Sequence, residues 1–325
     1  MSGWPITLAD ATAARARIAD YLKPTPLRNY ASLDRAVGHG IKVLVKHENH
    51  QPTNAFKARN ALSVMTALSD DQRKAGVVAA TRGNHGQGVA WSGTLLDIPV
   101  TVCVPVGNNP EKNQAMRDFG AEVIERGKDY DESVEVAQKL VEERGLVMVH
   151  STNNANIIAG ASTIMQEIVE QTDELDAMVI AVGGGSQAVG SLTIARELRP
   201  DVAVYGAQAA NAAAIHDSWH AGKRLSKDSA DTFADGLATR HCYDFTFDAL
   251  REGLAGFVAA SEAQIADAIR VLLETTHNLV EGAGATGLAG LQLLGEELAG
   301  KTVGIILSGG NIDQATLRRV VTGEL

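Results

Sequence analysis

Residues 177–198 read AMVIAVGGGSQAVGSLTIAREL, and this stretch decides the fold class. Its five leading apolar residues are typical of a buried strand, the glycines form a turn, and the segment after them has the composition of a helix. Other apolar segments that fit a strand occur at 41–48, 76–80, 99–105 and 302–306. Their alternation with amphipathic segments predicts an α/β fold in which two open, mostly parallel sheets are flanked by helices.

The strand and helix segments fall into two series. Repeated strand–helix units run from about Thr53 to Val149, and a second series begins after Ser151. Ligands of open α/β sheets bind where the carboxyl ends of strands meet helix N-termini. We therefore expect two α/β layers with a ligand-binding cleft between them.

The composition argues against several classes of partner. The 325 residues include 29 Lys and Arg against 39 Asp and Glu, a net charge of −10 without a basic stripe, so nucleic acid is not an expected partner. Cys103 and Cys242 form no CxxC pair, which argues against a zinc site or a disulfide framework. Residues 1–22 lack a signal-peptide pattern and no apolar run reaches eighteen residues, so we expect a cytoplasmic protein without membrane contact.

The glycine loop VGGGSQAVG at 182–190 follows a predicted strand and precedes a predicted helix. Consecutive glycines in that position form a concave row of backbone donors that suits a phosphate group. The loop lacks the lysine of the GxxxxGK[ST] motif and the spacing of GxGxxG, so ATP hydrolysis is disfavoured and dinucleotide binding is a weak alternative. A single phosphate fits the loop better than a pyrophosphate.

Lys57 lies in PTNAFKARNA, residues 52–61, between Phe56 and Ala58. Apolar neighbours would desolvate the ammonium and lower its pKa, which gives a usable amine at neutral pH. The alternative is a solvated surface lysine, as most lysines are.

Two further loops carry polar residues at strand ends. In ATRGNHGQGVA, residues 80–90, Asn84 and His85 lie at a predicted helix N-terminus, which favours a bound anion. In LSGGN, residues 307–311, the Ser308 hydroxyl follows a buried strand and can meet a ring nitrogen. For both loops the alternative is an ordinary turn that needs glycine.

These loops, with ADGLA at 234–238 and EGAGA at 281–285, make the whole chain resemble a known family. It is similar to the fold-type-II pyridoxal 5′-phosphate (PLP) enzymes of the threonine dehydratase and serine racemase group, nearest the hydroxyaspartate dehydratases of hydroxyectoine utilisation. The resemblance implies PLP as cofactor, a small amino acid as substrate and a homodimer. With it we expect a large PLP-binding domain, residues 1–50 and 152–325, and a small substrate-binding domain, residues 51–151.

The resemblance also implies roles for individual residues. Lys57 matches the lysine that forms a Schiff base with the cofactor in the family motif SFKxRGA, and Phe56 matches the residue that packs beside the ring. Asn84 matches the partner of the cofactor 3′-oxygen, and Ser308 that of the pyridine nitrogen. The other matches are with the phosphate loop for Gly183, Gly184, Gly185 and Ser186, with the surroundings of the ring for Asp235, Gly236 and Glu281, and with the α-carboxylate loop for Thr81, Gly83 and His85.

Several positions depart from the family pattern. Asn54 and Ala55 replace the Gly-Ser before Phe-Lys, Asn60 replaces the glycine after the arginine, and Ser186 replaces the fourth glycine of the phosphate loop. Ser186 still offers its backbone N–H and adds a hydroxyl.

Arg82 stands where the eukaryotic-type racemases have a serine that acts as a second base. An arginine cannot be deprotonated in a protein, so racemase activity is not expected. A guanidinium can instead clamp a second carboxylate through a bidentate pair, which points to 3-hydroxyaspartate as substrate. The alternative is that Arg82 turns outward and pairs with a surface acid.

The metal site of the family depends on a glutamate and an aspartate at positions that are Gln208 and Ala214 here. Because both carboxylates are missing, we expect no cation at that place. The sequence stops soon after LSGGN, so the regulatory extension of biosynthetic threonine dehydratases is not expected.

The resulting functional prediction is PLP-dependent elimination of water from a β-hydroxy amino acid, giving a 2-oxo acid and ammonia. The predicted substrate is 3-hydroxyaspartate, which would yield oxaloacetate by way of iminosuccinate. Threonine or serine dehydration is the alternative within this class. A non-catalytic nucleotide-binding α/β module, supported only by the GGGS turn, is the alternative from another class.

Overall fold

The computed structural model describes residues 3–325; the first two residues of the predicted N-terminal segment lie outside this range. The strands are β1 (Leu27–Asn29), β2 (Lys42–Lys46), β3 (Val77–Ala80), β4 (Val100–Val104), β5 (Glu122–Glu125), β6 (Val147–Met148), β7 (Ala177–Ala181), β8 (Ala203–Ala209), β9 (Gly256–Ala260) and β10 (Thr302–Ile306). The larger helices that surround the sheets are α1 (Leu8–Ile18), α3 (Lys57–Met65), α5 (Asn84–Leu96), α6 (Pro110–Asp118), α7 (Tyr130–Arg144), α8 (Ala155–Gln171), α9 (Ser186–Leu198), α11 (Asp244–Gly253), α12 (Glu262–Thr276) and α13 (Gly282–Leu293). The shorter helices are α2 (Ala31–Val37), α4 (Asp70–Ala75), α10 (Ala214–Ala221) and α14 (Gln314–Val321), with 3₁₀ turns at Glu48–His50, Ala210–Ala212 and Asp235–Leu237.

The strands form two sheets. The six-stranded sheet has the order β1-β2-β10-β7-β8-β9, and the four-stranded sheet has the order β5-β4-β3-β6. All neighbouring strands are parallel except the antiparallel pair β1 and β2. The predicted fold class is therefore confirmed. The domain boundaries at residues 50 and 151 stay a prediction, and the two sheets are built from residues on either side of them.

The central strands are buried along most of their length, as is typical of parallel strands covered on both faces. Every residue of β4 and β7 is buried. The antiparallel strand β1 and the edge strand β9 were not predicted, because β1 reads LRN and GFVAA at β9 is short and only partly buried. Neither gives a strong apolar period.

Helix α8 connects the two halves of the molecule. It packs against α9, which follows β7 of the six-stranded sheet, and against α3, which packs on α5 of the four-stranded sheet. Two glycines permit the close approach: a Cβ on Gly160 would lie 2.5 Å from the Arg59 carbonyl oxygen, and one on Gly190 would lie 2.7 Å from the Ser162 nitrogen. Since α3 begins at Lys57, this packing fixes the predicted reactive lysine relative to both sheets.

No helix within residues 3–325 is both long enough and apolar enough to cross a membrane.

Candidate active site

A cavity of about 360 Å³ lies between the two sheets, within the size range of small-molecule sites. Loops from both sheets line it. Every residue to which the sequence assigned a binding or catalytic role contributes to the lining, namely Phe56, Lys57, Thr81, Arg82, Gly83, Asn84, His85, Gly183, Gly184, Gly185, Ser186, Asp235, Gly236, Glu281 and Ser308. The structure thus brings the predicted set together, while the role of each member stays a prediction.

The loop before Lys57 is held against the loop that follows β10. Ala55 and Gly309 form an antiparallel bridge, and the Phe56 N–H donates to the Ser308 carbonyl at 2.9 Å. These contacts place the predicted amine and the predicted partner of a ring nitrogen at one end of the cavity.

The Lys57 amine is poised for chemistry by its surroundings. The Lys57 Nζ lies 4.8 Å from the centroid of the Phe56 ring. Lys57 is one of the residues that line the cavity. Burial lowers the pKa of Lys57 to about 8, although the Glu281 carboxylate acts in the opposite direction. Near neutral pH the neutral fraction of this amine is therefore far larger than that of an ordinary lysine, as a nucleophile or general base requires.

The glycine loop at the start of α9 forms a cradle that side chains would fill. A Cβ on Gly183 would lie 2.4 Å from the Gly236 carbonyl oxygen, and one on Gly184 would lie 2.2 Å from Thr152 Oγ1. Gly185 caps the helix with φ +96°, a left-handed conformation that favours glycine. The free N–H groups of the first turn of α9 and its dipole give this loop the properties of a phosphate site without a basic side chain in it.

Asn84, at the start of α5, belongs to a polar network. Its Nδ2 donates to Glu281 Oε1 at 2.6 Å, and its Oδ1 accepts from Asn311 Nδ2 at 2.8 Å. Burial raises the pKa of Glu281 above its ordinary value, against the lowering effect of Lys112 and the Asn84 hydrogen bond. The network fixes the Asn84 amide at the wall of the cavity.

The loop 81–85, whose predicted role is to bind the α-carboxylate, is held by hydrogen bonds within the protein. The Gly83 N–H donates to Thr81 Oγ1 at 3.0 Å, and the His85 Nε2–H donates to the Val149 carbonyl at 2.8 Å. Burial lowers the pKa of His85 to about 3, so the imidazole is neutral. Positive charge near this loop therefore comes from residues other than histidine.

Two cations flank Gly83. Arg82 is exposed, lines the cavity and forms no ion pair with any acid in residues 3–325. Lys112, on α6, is buried beside Gly83, and its Nζ donates to Asp235 Oδ2 at 2.5 Å. No pair between Arg82 and a surface acid is present within residues 3–325, but the exposure of Arg82 also fits a side chain that turns outward, so its role stays a prediction.

The sequence did not single out several residues that line or support the site. Lys112 lies in a polar helix that resembles a solvated one, Thr152 lies in a loop without a recognisable motif, and Asn311 lies in the LSGGN loop, where only Ser308 was given a role. Other lining residues that were not predicted include Asp129, Tyr130, Asp131, Ser151, Arg240, His241 and Tyr243. The sequence signal nearest to Lys112 is Gly83, the glycine of the predicted substrate loop that its side chain contacts.

The position of the family metal site holds neutral groups. Gln208 is fully buried in β8, and its Oε1 accepts from the His216 N–H at 2.9 Å. Ala214 begins α10. In the part of the chain that the structure describes, no three His, Cys, Asp or Glu side chains cluster as metal ligands would. The expectation that no cation binds at Gln208 and Ala214 stays a prediction.

The donor set fits PLP. The glycine cradle and the α9 N-terminus match a phosphate monoester, the Lys57 amine matches a reactive aldehyde, and the Ser308 hydroxyl matches a heteroaromatic nitrogen. The cavity is large enough for a cofactor of this size together with a small amino acid.

Comparison with known proteins gives the same result. The family model for the pyridoxal-phosphate dependent enzyme family matches residues 18–309. An L-threonine ammonia-lyase of Thermotoga maritima is 36% identical over 320 residues, 98% of this chain and 79% of that protein. An L-threo-3-hydroxyaspartate ammonia-lyase of a Pseudomonas species is 33% identical over 304 residues, 94% of this chain and 95% of that protein.

Solved structures agree with these relatives. The structure of maize serine racemase matches with a TM-score of 0.93 at 30% identity, covering 99% of this chain and 98% of that one. The alternative of a non-catalytic nucleotide-binding module finds no support in these comparisons. The chain belongs to the pyridoxal-phosphate-dependent enzyme family, with PLP as its cofactor, in the group whose members are named ammonia-lyases and dehydratases.

Proposed function

We propose that this enzyme converts 3-hydroxyaspartate to oxaloacetate and ammonia. The observation that carries the proposal is Arg82, which lines the cavity beside the predicted carboxylate loop and has no acidic partner within residues 3–325. A guanidinium in this position can form two parallel hydrogen bonds to a carboxylate. Threonine and serine carry no second carboxylate for it, whereas 3-hydroxyaspartate does.

In the proposed mechanism, residues of the chain bind the substrate and move its α-proton. PLP, when bound, withdraws electrons from the substrate α-carbon. Lys57 removes the proton from that carbon, which a pKa of about 8 permits at neutral pH. The loop 81–85 and the α5 N-terminus hold the α-carboxylate through backbone N–H groups and the helix dipole.

Ser308 favours elimination in this scheme because its hydroxyl cannot protonate a ring nitrogen as a carboxylic acid would. The β-hydroxyl leaves as water, and hydrolysis of the released product gives the 2-oxo acid and ammonia. Arg82, where a racemase has a serine base, keeps its proton and so does not return a proton from the opposite face. The proposal therefore excludes efficient racemisation.

Threonine dehydration is the second candidate. It is supported by the 36% identity to a protein named L-threonine ammonia-lyase, against 33% for one named L-threo-3-hydroxyaspartate ammonia-lyase. These values are too close to select a substrate, so the proposal for hydroxyaspartate depends on Arg82. A homodimer and a cytoplasmic location stay predictions.

The test is a substrate panel assayed with the PLP-loaded protein. Ammonia release is measured for 3-hydroxyaspartate, threonine and serine, and oxaloacetate is detected by a coupled reduction. Arg82→Ser should lower the ratio of kcat/KM for hydroxyaspartate to kcat/KM for serine by roughly tenfold or more, since a hydrogen bond to a charged group contributes about 1.5–3 kcal/mol.

Arg28→Ser is the matched control, because Arg28 is exposed on β1, lies outside the cavity and makes no ion pair within the described residues. It should leave the ratio unchanged. Equal losses for both substrates in Arg82→Ser, or a wild-type enzyme that prefers threonine, would move threonine dehydration ahead.

A further inference from the structure

The ion pair between Lys112 and Asp235 crosses the cavity. Lys112 belongs to α6, which follows β4 of the four-stranded sheet, whereas Asp235 lies in the 3₁₀ turn between β8 and β9 of the six-stranded sheet. Their side chains meet at 2.5 Å. Both residues line the same cavity as Lys57, so this pair closes part of the site.

The two partners differ in their surroundings. The Lys112 side chain is 9% exposed, whereas that of Asp235 is 43% exposed. Burial lowers the pKa of Lys112, but the carboxylates of Asp235 and Glu281 outweigh it and hold the pKa above its ordinary value. Lys112 is thus a charged ammonium that needs a carboxylate partner, while Asp235 can be released into water at modest cost.

Lys112 is also positioned beside the predicted substrate loop. A Cβ on Gly83 would lie 3.0 Å from Lys112 Cδ and 3.8 Å from its Nζ. The Asn108 side chain ties the start of the same segment to this loop, donating from Nδ2 to the Arg82 carbonyl at 3.3 Å. Lys112 and Arg82 therefore flank one glycine at the α5 N-terminus.

We propose that Asp235 occupies, in the free enzyme, the place of a substrate's second carboxylate, and that Lys112 exchanges Asp235 for that carboxylate when a dicarboxylic amino acid binds. Lys112 is then a specificity-determining residue. A monocarboxylic amino acid leaves the Lys112–Asp235 pair in place. This inference rests on the proposed function for its substrate class and adds a residue and an exchange step to it.

The exchange can be measured by binding alone. L-Aspartate carries both carboxylates but no β-leaving group, and L-alanine lacks the second carboxylate. The PLP-loaded enzyme is titrated with each amino acid, and the dissociation constants are read from the change in visible absorbance of the cofactor. The measured quantity is the ratio of affinity for aspartate to affinity for alanine.

Lys112→Gln should lower this ratio by about 10- to 100-fold, the usual value of a charge-assisted hydrogen bond. Lys112→Arg should restore most of it, because the cation is kept. Asp235→Asn should raise the ratio, since the competing carboxylate is removed. Lys139→Gln on α7, an exposed lysine outside the cavity, makes the same charge change and should have no effect.

A Lys112→Gln ratio equal to that of wild type, or an Asp235→Asn ratio that falls, would overturn the exchange. The hydroxyaspartate assay is independent of this outcome. If wild type fails to turn over hydroxyaspartate while the aspartate ratio still depends on Lys112, the proposed function is wrong and the exchange stands. If hydroxyaspartate is turned over but the aspartate-to-alanine affinity ratio does not change in Lys112→Gln, the exchange is wrong and the proposed function stands.

Discussion

A buried network of ion pairs lies next to Lys57. Removing this network tests how strongly it stabilises the part of the fold that positions Lys57. Arg59, two residues after Lys57 on α3, uses all five of its N–H donors. Two go to Glu48 at 2.7 and 2.9 Å, two to Glu167 on α8 at 2.6 and 2.8 Å, and one to Thr163. The Arg59, Glu48 and Glu167 side chains are 1%, 0% and 5% exposed.

Arg59→Met should therefore be strongly destabilising. It would leave the buried carboxylates of Glu48 and Glu167 with a single cation, Lys46, whose Nζ lies 2.6 Å from Glu167. Removing one partner of a buried ion pair typically costs about 3–5 kcal/mol, because the remaining charge stays in a dry environment. For a chain of 325 residues that corresponds to a fall in Tm of about 4–7 °C.

The pH dependence of the free energy of unfolding gives a second test of this network. Burial acts to raise the pKa of Glu48, but Arg59 and the Thr25 hydroxyl outweigh it and hold that pKa below its ordinary value. A carboxyl with a lowered pKa stabilises the folded state fully above its ordinary pKa of about 4.3, and loses that contribution as pH falls below this value toward the lowered pKa of the folded state. The gap between wild type and Arg59→Met should thus be largest near neutral pH and shrink under acid.

The assay is thermal unfolding of the PLP-loaded protein, followed by circular dichroism from about pH 3.5 to about pH 8, a range that spans the ordinary pKa of a glutamate. Arg15→Met is the matched control, because Arg15 pairs with Glu170 on the same helix α8, but with side chains 29% and 58% exposed. An exposed pair contributes about 0–1 kcal/mol. Equal changes in Tm for the two variants, or a gap that widens on acidification, would refute the reasoning.

Three other predictions concern the cofactor. Lys57→Ala should abolish the visible absorbance of the bound cofactor and all turnover while the far-ultraviolet circular dichroism is kept; retained absorbance and activity would assign another lysine. In wild type, the rate at which this absorbance develops should rise through about pH 8, where the Lys57 amine becomes neutral. Gly184→Ala should weaken PLP binding about tenfold, since its Cβ would lie 2.2 Å from Thr152 Oγ1 and such overpacking costs about 1–3 kcal/mol. Unchanged affinity in equilibrium dialysis would place the phosphate elsewhere.

The parts of the site that the sequence predicts are those encoded locally. The strand, glycine turn and helix at 177–198 each follow from neighbouring residues, and all three are present in the structure. Convergence of the loops follows from topology, because the carboxyl ends of parallel strands share one edge of a sheet. Gly183 and Ser308, which follow β7 and β10 of the six-stranded sheet, meet in the cavity for this reason, whereas Asn84 follows β3 of the other sheet and reaches the cavity through the packing of the two sheets.

The charged partners of the site depend instead on tertiary packing. Lys112 lies in PEKNQAMRD, a composition typical of a solvated helix, and is buried only because α6 packs against the loop at Gly83. Glu48 and Glu167 are separated by more than a hundred residues and have no sequence pattern that pairs them with Arg59. A lone charge gives the same local signal whether it is solvated or buried. The sequence could therefore predict the loops but not the ion pairs that join them.

The two sets of ion pairs differ physically in whether a partner can reach water. Around Arg59 every carboxylate is buried, so each loss leaves an uncompensated charge and the network is closed to exchange. At Lys112 the ammonium is buried but Asp235 is 43% exposed, so water can replace the lysine as its partner. The buried network around Arg59 is therefore suited to keeping Lys57 in a fixed position. The Lys112–Asp235 pair is suited to admitting a charged substrate. Substitution of Arg59 should accordingly change Tm more than amino-acid selectivity, and substitution of Lys112 should change selectivity more than Tm.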